Sequence, residues 1–154
     1  MVYTVALVLH SYLRWIALAL AVLVVARSWG GWMGRRAFTA TDNRVQVAFM
    51  GVVDTQLLVG LALYVFLSPV TAAFFANAKA AMKDSTLRFF GVEHLALMLL
   101  ALVVVHAGRG VGKRKDDTAR HRITAITTLV FLVLVFLAVP WPGRVYGRAL
   151  FRGL

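Results

Sequence analysis

Four stretches of apolar residues, each close to the ~20 residues that carry a helix across ~30 Å of hydrocarbon, decide what this chain can become. They run roughly 3–26, 45–67, 87–107 and 122–139. A soluble domain of 154 residues, 61% of them hydrophobic, could not hide that much apolar surface in one core. The stretches read as transmembrane helices, and one bundle accounts for all of them. The expected fold is all-α: an integral membrane four-helix bundle, up-down-up-down, in a single transmembrane domain over residues 1–154. The first stretch starts almost at Met1. It is too long for a signal-peptide core and lacks a basic leader and a clear cleavage site, so it is expected to be a retained helix.

Local chemistry marks the boundaries. Gly30, Gly31 and Gly34 are expected to break the chain after the first helix, and Gly108, Gly110 and Gly112 after the third. Thr39 or Thr41 can cap the second helix, and Asp84 or Ser85 the third. Pro69 ends the second helix because its ring cannot continue it, and Pro140 and Pro142 follow the fourth. Trp29, Trp32 and Trp141 sit at these edges, where an indole suits the headgroup zone. Residues 71–82 are alanine-rich and read equally as a short helix on the membrane surface or as an ordinary loop.

Charge orients the bundle. In a soluble protein a net charge of +11 would raise nucleic acid as a partner. Here the basic residues lie between the apolar stretches, where they set topology and meet anionic headgroups, and nucleic acid is not expected. One side carries Arg27, Arg35, Arg36, Arg44, Arg109, Lys113, Arg114, Lys115, Arg120 and Arg122. The other carries Lys79, Lys83, Arg88, Arg144, Arg148 and Arg152, so the bias is ten to six. The positive-inside rule then puts both long basic loops in the cytoplasm of a bacterial inner membrane and both termini in the periplasm.

Several chemistries drop out. Without cysteine there is no disulfide, no thiolate metal site, no covalently attached haem and no iron–sulfur cluster. No phosphate-binding loop, dinucleotide fingerprint, HExxH or Ser/His/Asp arrangement is present, so nothing argues for hydrolysis or nucleotide chemistry.

Polar residues within the spans each need an account, because hydrocarbon penalises them. The fourth helix has no charge within its span. The other three carry His10, Arg14, Asp54, Gln56, Glu93 and His94. His10 lies seven residues beyond Tyr3 and His94 seven beyond Leu87, so both sit roughly 10 Å below the same surface. The first and third helices of such a bundle face each other diagonally across the core. Two imidazoles at equal depth there suit the axial positions of one haem b. The opposing reading is two separate histidines, each bonded to nearby backbone or hydroxyl groups. Gly91, one turn from His94, would leave room for a flat macrocycle. Arg14 lies one turn below His10, at roughly 16 Å depth against roughly 20 Å for Asp54. It is expected either to pair with Asp54 or to bind a haem propionate. His106 and His121 read as interfacial residues among the basic loops, so a second haem is not expected. Met50 and Met98 read as packing, and Glu93 as an internal hydrogen-bonding group.

The segments HSYLRW (10–15), QLLVGLALY (56–64), MKDSTLRFFGVEHLALML (82–99) and VPWPG (139–143) resemble a family of short four-helix bacterial membrane proteins labelled cytochrome-b-like. The resemblance runs through nearly the whole chain in the same order. It implies a haem-binding or respiratory-chain-associated role, with His10 and His94 matching the histidines of the HSYL and EHxxxM motifs. The family's proline after the second histidine and its histidine after the terminal PW are replaced here by Leu95 and by Pro142–Gly143, so no ligand is implied from that end.

The expected function is therefore a b-type electron carrier, exchanging electrons with quinone or a partner complex, rather than a stand-alone enzyme. The alternative is a cofactor-free structural or accessory subunit of a larger membrane complex. A small transporter using Asp54 and Glu93 as proton sites ranks last, since the sequence shows no helix discontinuity of the transporter kind.

Overall fold

A computed structural model describes residues 1–151. Arg152, counted above for topology, lies outside the described residues. The described residues are all-helical, and four helical spans are long and apolar enough to cross a membrane: Val2–Met33, Ala40–Leu67, Ser85–Gly112 and Asp117–Ala138. In order, α1 is Val2–Met33 and α2 is Ala40–Ala62, which continues as a π-turn over Leu63–Leu67. Three short helices follow: α3 Pro69–Ala76, α4 Ala78–Ala81 and α5 Ser85–Arg88. A second π-turn, Phe89–Glu93, leads into α6, His94–Gly112, and α7 is Asp117–Ala138.

The caps fall where side-chain chemistry puts them. Thr39 Oγ1 accepts from the Asp42 N–H while the Asp42 carboxylate accepts from the Thr39 N–H, a reciprocal capping box that starts α2. Asp42 also accepts from Arg27 Nε at 3.0 Å and Arg36 Nη1 at 2.8 Å, which pins the end of α1 to the start of α2. That hydrogen bond raises Arg36 above its ordinary value, so its charge is constant across the accessible pH range. Asp84 accepts from the Thr86 and Leu87 N–H groups and caps α5. Residues 71–82 resolve into short helices, with Ser68 capping α3 and Pro69 in its first turn.

The glycines behave differently from the expectation that they break the helices. Gly30 and Gly31 lie inside α1, and Gly108 and Gly110 inside α6. Two of them are packing devices. A Cβ on Gly31 would run into the His121 ring of α7, and one on Gly108 would run into Thr127 of α7. The missing side chains let the helices approach closely, the usual role of small residues between membrane helices. Gly34 does end α1.

The core is built from Ala17, Ala21 and Val24 of α1, Phe49, Met50 and Val53 of α2, Ala101 and Val105 of α6, and Phe131 and Val135 of α7. α1 packs along both α2 and α7, and α6 packs along α7, whereas α2 and α6 touch only lightly. Large apolar residues such as Val22, Leu58, Val103 and Val133 face outward. In lipid such exposure carries no hydrophobic cost.

The two π-turns are the main departure from regular helix. The first closes with the Ser68 N–H bonded to the Leu63 carbonyl at 2.8 Å. The Tyr64 hydroxyl of the first turn donates to the Gly91 carbonyl of the second at 2.6 Å, and Thr71 Oγ1 donates back to the Tyr64 carbonyl at 2.7 Å. After α7 the chain turns back across the bundle end. Tyr146 stacks on Phe89 at 3.8 Å and Phe151 on Trp15 at 5.2 Å. The Leu150 carbonyl accepts from Arg14 Nη2 at 2.6 Å and from Ser11 Oγ and Trp15 Nε1 at 3.2 Å each.

Because His121 is fully buried, Gly31→Ala forces the ring or the helix to move. Overpacking of this kind costs about 1–3 kcal/mol. Gly30→Ala meets no atom within 4 Å and should be neutral or stabilising. Thermal unfolding of both variants in detergent checks the difference; equal midpoints would contradict the close α1–α7 approach.

Candidate functional site

A cavity of about 180 Å³ lies inside the bundle, lined by residues of all four spans. Its walls are mostly aliphatic, and its polar groups include His10, Gln56 and His94. Because α2 and α6 pack only lightly, the cavity borders the loosest seam in the bundle. It is smaller than the ~300–1,000 Å³ of a ligand pocket, so a broad ligand requires that seam to widen.

The structure brings His10 and His94 together. Their ring centres are 6.3 Å apart, with the planes inclined at 64°. His94 is the better fixed of the two. Its Nδ1 lies 2.8 Å from the Ala138 carbonyl at the end of α7. A carbonyl only accepts, so Nδ1 carries the proton and Nε2 keeps its lone pair. Such a carbonyl partner is how proteins orient a metal-binding histidine. His10 is held by contact instead. A Cβ on Gly60 would stand 3.0 Å from His10 Cε1, so any larger residue there would push the ring by a few tenths of an ångström. His10 Nδ1 and Gln56 Oε1 are both buried without a hydrogen-bond partner. Orphaned polar atoms on a cavity wall are what a ligand or bound water would satisfy.

Two imidazoles are too few for a metal held by protein alone. No group of three or more His, Cys, Asp or Glu side chains fit to hold a metal occurs among the described residues. A metal between His10 and His94 would take its other donors from beyond these two side chains. Two imidazoles are donors that haem iron takes, and His10 and His94 are the residues that would hold it.

Other expected residues fall elsewhere. Gly91 does not face the cavity: the Phe74 ring of α3 fills the space where its Cβ would be. The room expected there for a macrocycle is already taken by an aromatic ring. Arg14 lines the cavity but does not pair with Asp54. Its guanidinium bonds to Leu150, while Asp54 lies 2.8 Å from His106 Nε2. Asp54 faces away from the cavity that Arg14 lines, which a count of depth along the helices does not register. Glu93 pairs with Arg88 at 2.7 Å. His121 is not interfacial but buried between α1 and α7 against Phe38. Met50 is core and Met98 lines the cavity.

Sequence reasoning missed Gly60, Tyr64 and Arg148, all of which line the cavity. Gly60 had a readable signal, one turn beyond Gln56 on the same face. Arg148 had none, because only the returning C-terminal segment brings it near Phe90, at 5.2 Å from the ring centre. Comparison with protein-family models, curated proteins and solved structures finds no match to this chain.

Coupling should follow these contacts. In a double-mutant cycle on thermal stability, Asp54→Leu and His106→Leu should be non-additive by roughly 0.5–3 kcal/mol. Arg14→Leu and Asp54→Leu should add. Strong coupling in the second pair and none in the first would overturn the observed pairing.

Proposed function

We propose that this protein is a membrane b-type cytochrome-like electron carrier that binds one haem through His10 and His94. The observation that carries the reading is the 6.3 Å between ring centres. Two metal–imidazole bonds of about 2 Å in line leave the ring centres about 6 Å apart. The same two residues are those matched in the resemblance to cytochrome-b-like membrane proteins. Arg14 at the cavity wall is positioned to offset anionic groups of the ligand.

When bound, the haem iron supplies one-electron chemistry. The chain supplies the rest. The Ala138 carbonyl fixes the tautomer and direction of His94. Leu7, Leu57, Leu95 and Leu102 give the cavity an aliphatic lining. Electrons would pass to or from a membrane quinone or a partner subunit.

The supporting topology is an up-down-up-down bundle in a bacterial inner membrane, with both termini periplasmic. It rests on the ten-to-six distribution of Lys and Arg. A reporter active only in the periplasm should give signal when fused after Leu154. Signal instead from the same reporter placed within Gly110–Lys115 would invert the orientation.

The haem reading is tested by a reduced-minus-oxidised visible spectrum of purified protein. Wild type should show a low-spin b-type spectrum, and His10→Ala and His94→Ala should each lose it while remaining helical by circular dichroism. Single variants with normal haem content and unshifted bands would sink the assignment. A wild-type protein without haem would favour the cofactor-free subunit.

A further inference from the structure

Asp54 and His106 form an acid–base pair in an unusual place. Residues 40–53 precede Asp54 and residues 55–67 follow it in the span Ala40–Leu67, so it lies at the middle of the helix. Its carboxylate is 2.8 Å from His106 Nε2, yet the two side chains remain 45% and 43% exposed. That bond uses one carboxylate oxygen and one ring nitrogen. The second oxygen and Nδ1 are left to whatever covers this face, and hydrocarbon cannot hydrogen-bond to either. Polar side chains at such depth nearly always face protein or a water-filled cavity. Neither residue lines the internal cavity.

The surface around the pair is built for close approach. Gly51 and Gly110 have no atom within 4 Å of where a Cβ would sit. Thr55 and Ala107 are exposed beside them. Gly51 and Thr55 are four residues apart, the small-xxx-small spacing that lets membrane helices pack.

We propose that the α2–α6 seam is a homodimer interface within the membrane, in which a second copy of this chain closes over Asp54 and His106. Charge complementarity selects that occupant. The patch carries an acid and a base side by side, so a two-fold axis sets the acid of each copy against the base of the other, the self-complementarity that an isologous interface requires. This inference goes beyond the haem reading and does not rest on it.

The absence of cysteine makes the test clean. Thr55→Cys and Leu58→Cys place single thiols on the exposed face of α2, and Val22→Cys places one on the lipid-facing side of α1. Full-length protein is reconstituted at low density in phospholipid vesicles and treated with a short thiol-to-thiol crosslinker. On denaturing gels the two α2 variants should shift to twice the monomer mass, and Val22→Cys should stay monomeric. Adding Asp54→Leu and His106→Leu to either α2 variant should abolish the shift while helical content is retained. The proposal fails if both α2 variants stay monomeric or if Val22→Cys crosslinks as well as they do. It also fails if crosslinking in native membranes captures a different protein at this face instead of a second copy.

Discussion

In hydrocarbon a polar group has no solvent to fall back on, and that constraint organises the molecule. Helix ends that emerge from the span can be capped by short side chains, as Thr39, Asp84 and Asp116 do. Within the span several polar side chains find a partner on another element of the protein. Tyr64 finds a π-turn carbonyl, His94 finds the last carbonyl of α7, and Gln46 and Asn43 find Arg109. Each bond crosses between different elements, so together they fix how the helices sit as well as satisfying the groups involved.

The two π-turns follow from the same constraint. A π-turn misaligns backbone carbonyls and leaves some without a regular helical partner. In water that would cost little. In the membrane the Tyr64 hydroxyl and the Thr71 hydroxyl move in to satisfy the carbonyls of Gly91 and Tyr64. The second turn ends at Glu93, so α6 begins at His94 and the ring is aimed by an interruption held in place from α2 and α3. π-turns are frequent at functional sites because they re-aim one side chain without ending a helix.

Much of the fold was legible because membrane helices advertise themselves by length and apolarity. The end of the second span at Ser68 followed from the Pro69 ring, Thr39 and Asp84 were each one of two residues with capping chemistry, and the proximity of His10 to His94 followed from depth. What stayed hidden needed tertiary contacts. The glycines of α1 and α6 read as breakers, since glycine has poor intrinsic helix propensity, but in lipid a glycine's value is close approach to another helix. The Arg14–Asp54 pairing came from counting residues from estimated helix ends. Depth does not say which way a side chain faces: Arg14 lines the cavity, whereas Asp54 does not and meets His106. Gly91 was assigned by the helical period, which the π-turn over Phe89–Glu93 interrupts. The C-terminal segment, with Arg148 at the cavity, carries no periodic signal at all.

The two histidines are held unequally, and this bears on how the site would work. His94 is oriented by a carbonyl and hemmed by Phe89 and Phe90, with ring centres 5.9 and 6.3 Å away. His10 depends on the gap left by Gly60, and its Nδ1 has no acceptor. A ligating imidazole whose other nitrogen donates to a carbonyl is a stronger, better-aimed donor than one without such a bond. Under the proposed reading, His94 would be the firmer of the two residues holding the group and His10 the more adjustable. The same α2 borders the lightly packed seam and carries Asp54, whose partner His106 lies on α6. A second copy seated on that face, as proposed, would bear on the helix whose Gly60 packs against the His10 ring, and so on the cavity wall.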